Sequence, residues 1–238
     1  MGPSDSNDAT ADEIKKNGGT ATSYQCDVSS IDDIKRVSGR VRKDVGEVDI
    51  LVNNAGILYG GELLKMDEKH IQRTFDVNTM AHFWTVREFL PAMIQNNRGH
   101  IVTISSMSAK SGTAFLIDYS ASKYAVYGFT EALAEELDIL GHTGIKTTTV
   151  CPFFVNTGLV KEMKAGYGKI LEPKEVASAA IDGILTDEPV VLVPNRLWVE
   201  LHLASIRHVT DQLPLAWRDT LNFKTKRTMS GTNITLPF

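Results

Sequence analysis

Val48-Asp49-Ile50-Leu51-Val52-Asn53-Asn54-Ala55-Gly56 is a compact apolar run that ends in small, turn-forming residues. Val, Ile and Leu packed this densely over a few positions predict a buried strand of a parallel sheet, with both faces covered. Asparagine and glycine then let the chain leave the strand tightly, with its backbone open to a flat ligand. Asn54, Ala55 and Gly56 are therefore candidate binding residues.

On either side of this strand, helical and extended patterns alternate. A helix is predicted from Ala9 to Lys16, stopped by Asn17-Gly18-Gly19. Thr20 to Val28 reads as a strand, and Ser29-Ser30 caps a second helix that runs through Ile34 and Val37 to Val41. Beyond Gly56, a long helical segment spans Glu68 to Gln95, with interruptions expected near Asn78 and at Pro91. Gly99 to Ser105 is a strand, Tyr119 to Leu140 a helix, and Lys146 to Cys151 a strand halted by Pro152. Glu172-Pro173 opens a further helix and Val190 to Val193 forms a last strand. Such alternation predicts an α/β fold: a Rossmann-like, doubly wound parallel sheet with helices on both faces. From Asn195 to Phe238 the pattern weakens to one helical stripe, Trp198, Leu201, Ala204 and His208. That stripe either packs a core, walls a lipophilic pocket or touches a membrane surface.

Bulk composition narrows the functional classes. A chain of 238 residues with 42% hydrophobic and 23% charged residues suits one large α/β domain, 1–238. A net charge of −4 argues against nucleic acid as a partner. The two cysteines, Cys26 and Cys151, are far apart, so buried free thiols are expected in place of a disulfide or a metal site. No stretch approaches the roughly 20 apolar residues of a membrane span, and no signal-peptide pattern opens the sequence.

Chemistry concentrates in Tyr119-Ser120-Ala121-Ser122-Lys123. One helical turn separates Tyr119 from Lys123, so the two share a face. A free phenol ionises near pH 10, too high for an efficient base at neutral pH, and an ammonium beside it is expected to lower that value. Ser106 stands thirteen positions earlier, at the end of the Gly99–Ser105 strand, where parallel sheets place their sites. Its hydroxyl is suited to a substrate oxygen, with Ser105 and Ser108 as competitors. Asn78 inside a helix disfavours regular winding. Its side chain or a freed backbone carbonyl is then available to hold a water near Lys123. Asp27-Val28, closing the Thr20–Val28 strand, is placed to touch an adenine ring.

Together, Asp27-Val28, Asn53-Asn54-Ala55-Gly56, Asn78, Ser106, Tyr119 and Lys123 resemble the pattern of the short-chain dehydrogenase/reductase family, over about Ala9 to Val193. The resemblance implies a catalytic tetrad of Asn78, Ser106, Tyr119 and Lys123, with Ser106 also binding substrate. It implies a nicotinamide cofactor, NAD or NADP with a lean to NAD. Asp27, Val28, Asn54, Ala55, Gly56, Tyr119, Lys123, Pro152, Val155 and Thr157 would contact it. Phe83-Trp84-Thr85, Phe89 to Met93, Gly144 to Thr148 and Cys151 to Gly158 further resemble a lipid-acting branch of the family. That branch contains 17-beta-hydroxysteroid dehydrogenases of types eleven and thirteen and epidermal retinol dehydrogenases. It implies a retinoid, steroid or other lipophilic alcohol as substrate, and an endoplasmic-reticulum or lipid-droplet surface, with a cytoplasmic location if no anchor exists. The helices at Glu68–Gln95 and Tyr119–Leu140 resemble the family's dimer-forming faces, so a homodimer is expected.

One part of the pattern is missing. Family members open with a strand, a Thr-Gly-x-x-x-Gly-x-Gly turn, a helix and a second strand, and none of these precedes Asn7. The glycine turn supplies backbone N–H groups for a pyrophosphate. The expected sheet is therefore truncated at its N-terminal side, which leaves unpaired edges. A fragment of an ordinary enzyme and a catalytically silent member acting by association both fit this sequence.

Overall fold

The computed structural model describes residues 4–159 and 170–195. In it, four parallel strands lie side by side in chain order: β1 (Ile50–Asn53), β2 (Gly99–Ile104), β3 (Ile145–Pro152) and β4 (Val190–Val193). Register aligns Asn53 with Thr103 and Thr103 with Thr149, so the strands finish together at one rim of the sheet. The loops that leave this rim carry the candidate residues.

Of the helices α1 (Ser4–Lys16), α2 (Ile31–Asp44), α3 (Glu68–Phe75), α4 (Ala81–Asn96), α5 (Ile117–Ile139) and α6 (Pro173–Leu185), the last three pack on the sheet, while α2 packs on α4 and α3 on α5. On one face, Val86 and Met93 of α4 and Leu137 of α5 pack with Ile101 and Ile145, with Leu51 against them. On the other, Val102, Val150, Val191 and Val193 meet Val176, Ala179 and Ile184 of α6. Helix starts follow their sequence signals. Ser30 caps α2 by accepting the Asp33 N–H at 3.2 Å, and Glu172 forms a capping box with Glu175 before Pro173. Pro91 does not interrupt α4, which runs on to Asn96 and stops at a left-handed Asn97.

Near Asn78 the long helix does change. Asp76–Met80 forms a π-helical turn between α3 and α4. One wide turn of this kind rotates the helix faces out of step and often marks a functional position.

Two expectations are corrected. Thr20 to Asp27 form no regular element, Val28 enters a turn, and no strand among the described residues pairs with this segment. Its polar groups are met by α2 and its approach: Gln25 C=O accepts from Arg36, Asp27 N–H donates to the Asp33 carboxylate at 2.6 Å, and the Tyr24 hydroxyl donates to Asp44. Secondly, β1 is the edge of the sheet, not a strand covered on both faces. Only β2 pairs with β1 among the described residues, and Ile50 and Val52, 49% and 50% exposed, point to the face that α4 does not cover. Cys151 is buried as expected, whereas Cys26 is only partly so, and both thiols are free.

The stripe from Trp198 to His208 lies outside the described residues. Chain contacts divide the protein at position 197, and every element above belongs to the first unit. Among the described residues no helix is long and apolar enough to cross a membrane.

Candidate active site

Three strand ends and one helix build the site. Asn53 closes β1, Ser105 and Ser106 follow β2, Pro152 closes β3, and α5 brings Tyr119 and Lys123 across them. Ser105 ties α5 to β2, its hydroxyl donating to the Lys123 carbonyl at 3.0 Å.

Lys123 is 3% exposed, and its ammonium donates to the Ile104 carbonyl at 2.8 Å. Burial pulls its pKa down to about 8, opposed in part by the Cys151 thiol. The same nitrogen lies 5.7 Å from the centre of the Tyr119 ring. Gly56 adjoins both polar groups behind it. A methyl built on Gly56 would sit 3.6 Å from Lys123 Nζ and 3.6 Å from Asn78 Oδ1. A small residue here keeps a backbone path open beside the ammonium.

Asn78 is wholly buried in the π-helical turn. Its side-chain oxygen accepts from the Ile57 N–H at 2.8 Å, and its amide donates to the Ile57 carbonyl at 2.9 Å. A second amide hydrogen goes to the Ser122 hydroxyl at 3.1 Å. One side chain therefore clamps the loop after β1 onto α5. Asn78→Leu strands the Ile57 N–H and carbonyl, a loss of roughly 3 kcal/mol. Urea unfolding monitored by circular dichroism reads that loss.

Tyr119 is 9% exposed, and the half-buried Ser106 hydroxyl is near enough to its phenol to act on its pKa. Here the electrostatic expectation is corrected. Burial pushes the phenol's pKa up, and the Ser106 hydroxyl, not Lys123, opposes it. The ammonium is too distant, and too committed to Ile104, to offset desolvation of a phenolate. Ser108 belongs to the turn instead: its N–H donates to Ser106 Oγ at 3.1 Å.

The remaining candidates divide. Pro152 is buried at the end of β3, Val155 bridges to Leu171, and Thr157 is exposed on the same loop. Asn54 and Ala55 are exposed beside Gly56. Asp27 and Val28 sit apart from the tetrad, at the approach to α2. The Asp27 carboxylate accepts from Ser29 N–H at 3.0 Å and pairs with Arg73 at 3.2 Å, so its own pKa is held down, chiefly by Ser29. Arg73, on α3, links this turn to the helix leading to Asn78, and no motif singles it out. Ser122 and Ser105 were likewise missed as scaffold residues. Their signal was position: each stands one residue from a tetrad member.

The comparisons with known proteins agree with this geometry. A family model for short chain dehydrogenase matches residues 3–168. Estradiol 17-beta-dehydrogenase 11 of Mus musculus is 42% identical, over 79% of this chain and 63% of its own length. 17-beta-hydroxysteroid dehydrogenase 13 of Homo sapiens is 44% identical, over 82% of this chain and 65% of its own. The chain thus spans less than two thirds of the length of these relatives. A crystal structure of a short chain dehydrogenase/reductase from Burkholderia phymatum in complex with NAD superposes with a TM-score of 0.77. It shares 23% identity and covers 88% of this chain and 84% of its own. Matching sequence over most of the chain, the parallel sheet, and Tyr119 and Lys123 on one helix at its rim lead to one conclusion: this chain belongs to the short-chain dehydrogenase family.

Proposed function

We propose that the chain is the nicotinamide-side catalytic part of an NAD(P)-dependent oxidoreductase acting on the CH–OH group of a lipophilic alcohol, or on the matching carbonyl. The observation that carries this reading is the buried Lys123 ammonium, flanked by Gly56, Asn78 and Tyr119 where three strands end. Gly56 and Lys123 fit a cofactor's ribose and nicotinamide, with Asn54, Ala55, Pro152, Val155 and Thr157 lining the approach. Val28 and the Asp27 turn would meet the adenine end. A bound nicotinamide would supply the hydride acceptor or donor. In oxidation, Ser106 orients the substrate oxygen, Tyr119 accepts its proton, and Lys123 would hold the cofactor's ribose beside them.

Lipophilic substrates are supported by an apolar rim. The Gly61 N–H donates to the Phe115 carbonyl at 2.7 Å, which joins the loop after β1 to the loop before Tyr119. Tyr59, Leu64, Phe115 and Ile117 are exposed on these loops, Leu64 at 97%. The same rim supports contact with a lipid surface, at the endoplasmic reticulum or a droplet. Exposed Phe83 on α4 and Tyr124 on α5 support a homodimer through those helices. The family resemblance alone favours NAD over NADP.

Titration of the purified chain with NADH and NADPH, followed by turnover of retinoid, steroid and fatty alcohols, tests the reading. Saturable binding and turnover are expected. Stable dimers that bind neither nucleotide would favour a silent member acting by association. Gly56→Val puts two methyls between Lys123 and Asn78, and should weaken nucleotide binding at least about tenfold, worth roughly 1.4 kcal/mol. Fluorescence titration of NADH measures it.

A further inference from the structure

Between α3 and α5 the closest side-chain contacts are polar and buried. Thr74, one turn before Asn78, donates its hydroxyl to Asp118 Oδ2 at 2.9 Å, in competition with the His70 carbonyl at the same distance. Four residues further along each segment, the Asn78 amide donates to the Ser122 hydroxyl at 3.1 Å. Thr79 donates to the Ser122 carbonyl at 3.2 Å. Because the Asp76–Met80 turn is π-helical, the neighbours Asn78 and Thr79 both reach α5. Thr74, Asn78, Thr79, Asp118 and Ser122 are all buried. Together they make a polar ladder of two rungs, Thr74 to Asp118 and Asn78 to Ser122.

On α5 each rung stands one residue before a candidate site residue: Asp118 before Tyr119, and Ser122 before Lys123. Consecutive helical residues lie about 100° apart, so Asp118 and Ser122 form one stripe while Tyr119 and Lys123 form the next. Fixing the first stripe against α3 therefore fixes the rotation of the second. A side-chain tip lies about 5–6 Å from the helix axis, so turning α5 by about 10° moves it by roughly 1 Å. A misplacement of about 1 Å at a reacting group can cost roughly a hundredfold in rate.

Stability does not account for the first rung. Asp118 is 3% exposed, and its Oδ1 has no partner among the described residues. A buried carboxyl group left half unpaired costs folding free energy. Two apolar side chains of similar shape would join the helices as well or better. What the polar contact adds is direction, because a hydrogen bond weakens on a small rotation that apolar packing tolerates. We propose that Thr74 and Asp118 are positioning residues, holding α5 at the rotation that aims the Tyr119 hydroxyl at the substrate oxygen beside Ser106. This rests on the reading of Tyr119 as the acid/base group.

Thr74→Val combined with Asp118→Leu tests it, because the double change makes the rung apolar and strands no carboxyl group. The urea midpoint should stay at or above that of the wild type. Even so, kcat for alcohol oxidation should fall at least about tenfold, with the NADH dissociation constant within about twofold. Asp118→Asn keeps an oxygen for the Thr74 hydroxyl and should retain most of the rate. A double variant with the wild-type kcat overturns the proposal, and so does an Asp118→Asn enzyme as slow as the double variant. Crystal structures of the wild type and the double variant decide it apart from activity and from any loss of stability. A Tyr119 hydroxyl displaced by about 1 Å relative to Ser106 supports the proposal, and an unmoved one overturns it. A wild-type chain that neither binds nucleotide nor turns over alcohol overturns the dehydrogenase reading and the proposal with it. An unmoved Tyr119 in an active enzyme overturns the ladder alone.

Discussion

Tyr119→Phe should cut kcat for alcohol oxidation by about a thousandfold, within the range for loss of a positioned acid/base group. The NADH dissociation constant should stay within about twofold, a change of under roughly 0.5 kcal/mol. The substitution removes one oxygen and leaves the ring. Tyr119 is 9% exposed on a helix anchored by Ser122 and Ser105, so its position does not depend on the hydroxyl. The phenol oxygen's neighbour is the Ser106 hydroxyl, so the loss of stability should not exceed that of one hydrogen bond, about 1 kcal/mol. A large kinetic effect with a small stability effect is therefore expected. The pH profile adds a sign. Oxidation needs the phenolate, and burial pushes the phenol's pKa up, so the wild-type rate should climb as pH rises above neutral. Ser106→Ala removes the hydroxyl that opposes burial, and should move this limb further toward alkaline pH. Steady-state assays across pH 6–10 with NADH titrations measure all three effects. Full activity in Tyr119→Phe would end the proposed chemistry.

The parts of the fold legible in sequence are those where local pattern and tertiary partner agree. β2, β3 and β4 are apolar runs whose neighbours lie within the chain, and their ends fall within a residue or so of expectation. Ser30 and Glu172-Pro173 are caps whose chemistry is local, so they too are legible. Thr20–Val28 shows the limit. Its pattern is that of a strand, but a strand exists only in a ladder, and α2 takes its hydrogen-bonding groups instead. Pro91 shows another. Proline predicts a break, yet α4 is pinned on both sides of it, by Val86 and by Met93 in the core. At the site, spacing alone put Tyr119, Lys123 and Ser106 together. It could not reveal that Asn78 spends its amide on Ile57 and Ser122, or that Asp27 pairs with Arg73, because those partners are distant in sequence and common in type. Nor could it weigh burial against charge at Tyr119. Helical spacing gives neighbourhood, whereas a pKa depends on how much water is lost.

Lys123→Met should yield a chain that is more stable at neutral pH and catalytically dead. A lysine in the unfolded chain ionises at 10.5, and burial lowers this to about 8 in the fold. Keeping the ammonium charged at pH 7 therefore costs roughly 3 kcal/mol of folding free energy. Methionine fills similar space without that cost, but leaves the Ile104 carbonyl unpaired, a loss of about 1–2 kcal/mol. The net gain at pH 7 is on the order of 1–2 kcal/mol, readable as a raised urea midpoint. Between pH 8 and 10.5 the unfolded lysine holds its proton more often than the folded one, so this group makes the wild type more stable as pH rises. Cys151 acts oppositely. Burial raises its pKa from 9.0 to about 11, so its contribution falls as pH climbs through that interval. The window from pH 8 to 9 isolates Lys123. There the wild type should gain about 1 kcal/mol that Lys123→Met does not. Equal pH slopes in the two proteins would mean that Lys123 is not held charged against burial. A stability gain together with lost turnover would mean that this lysine is kept at the expense of the fold, which structure alone does not require and a site for the cofactor does.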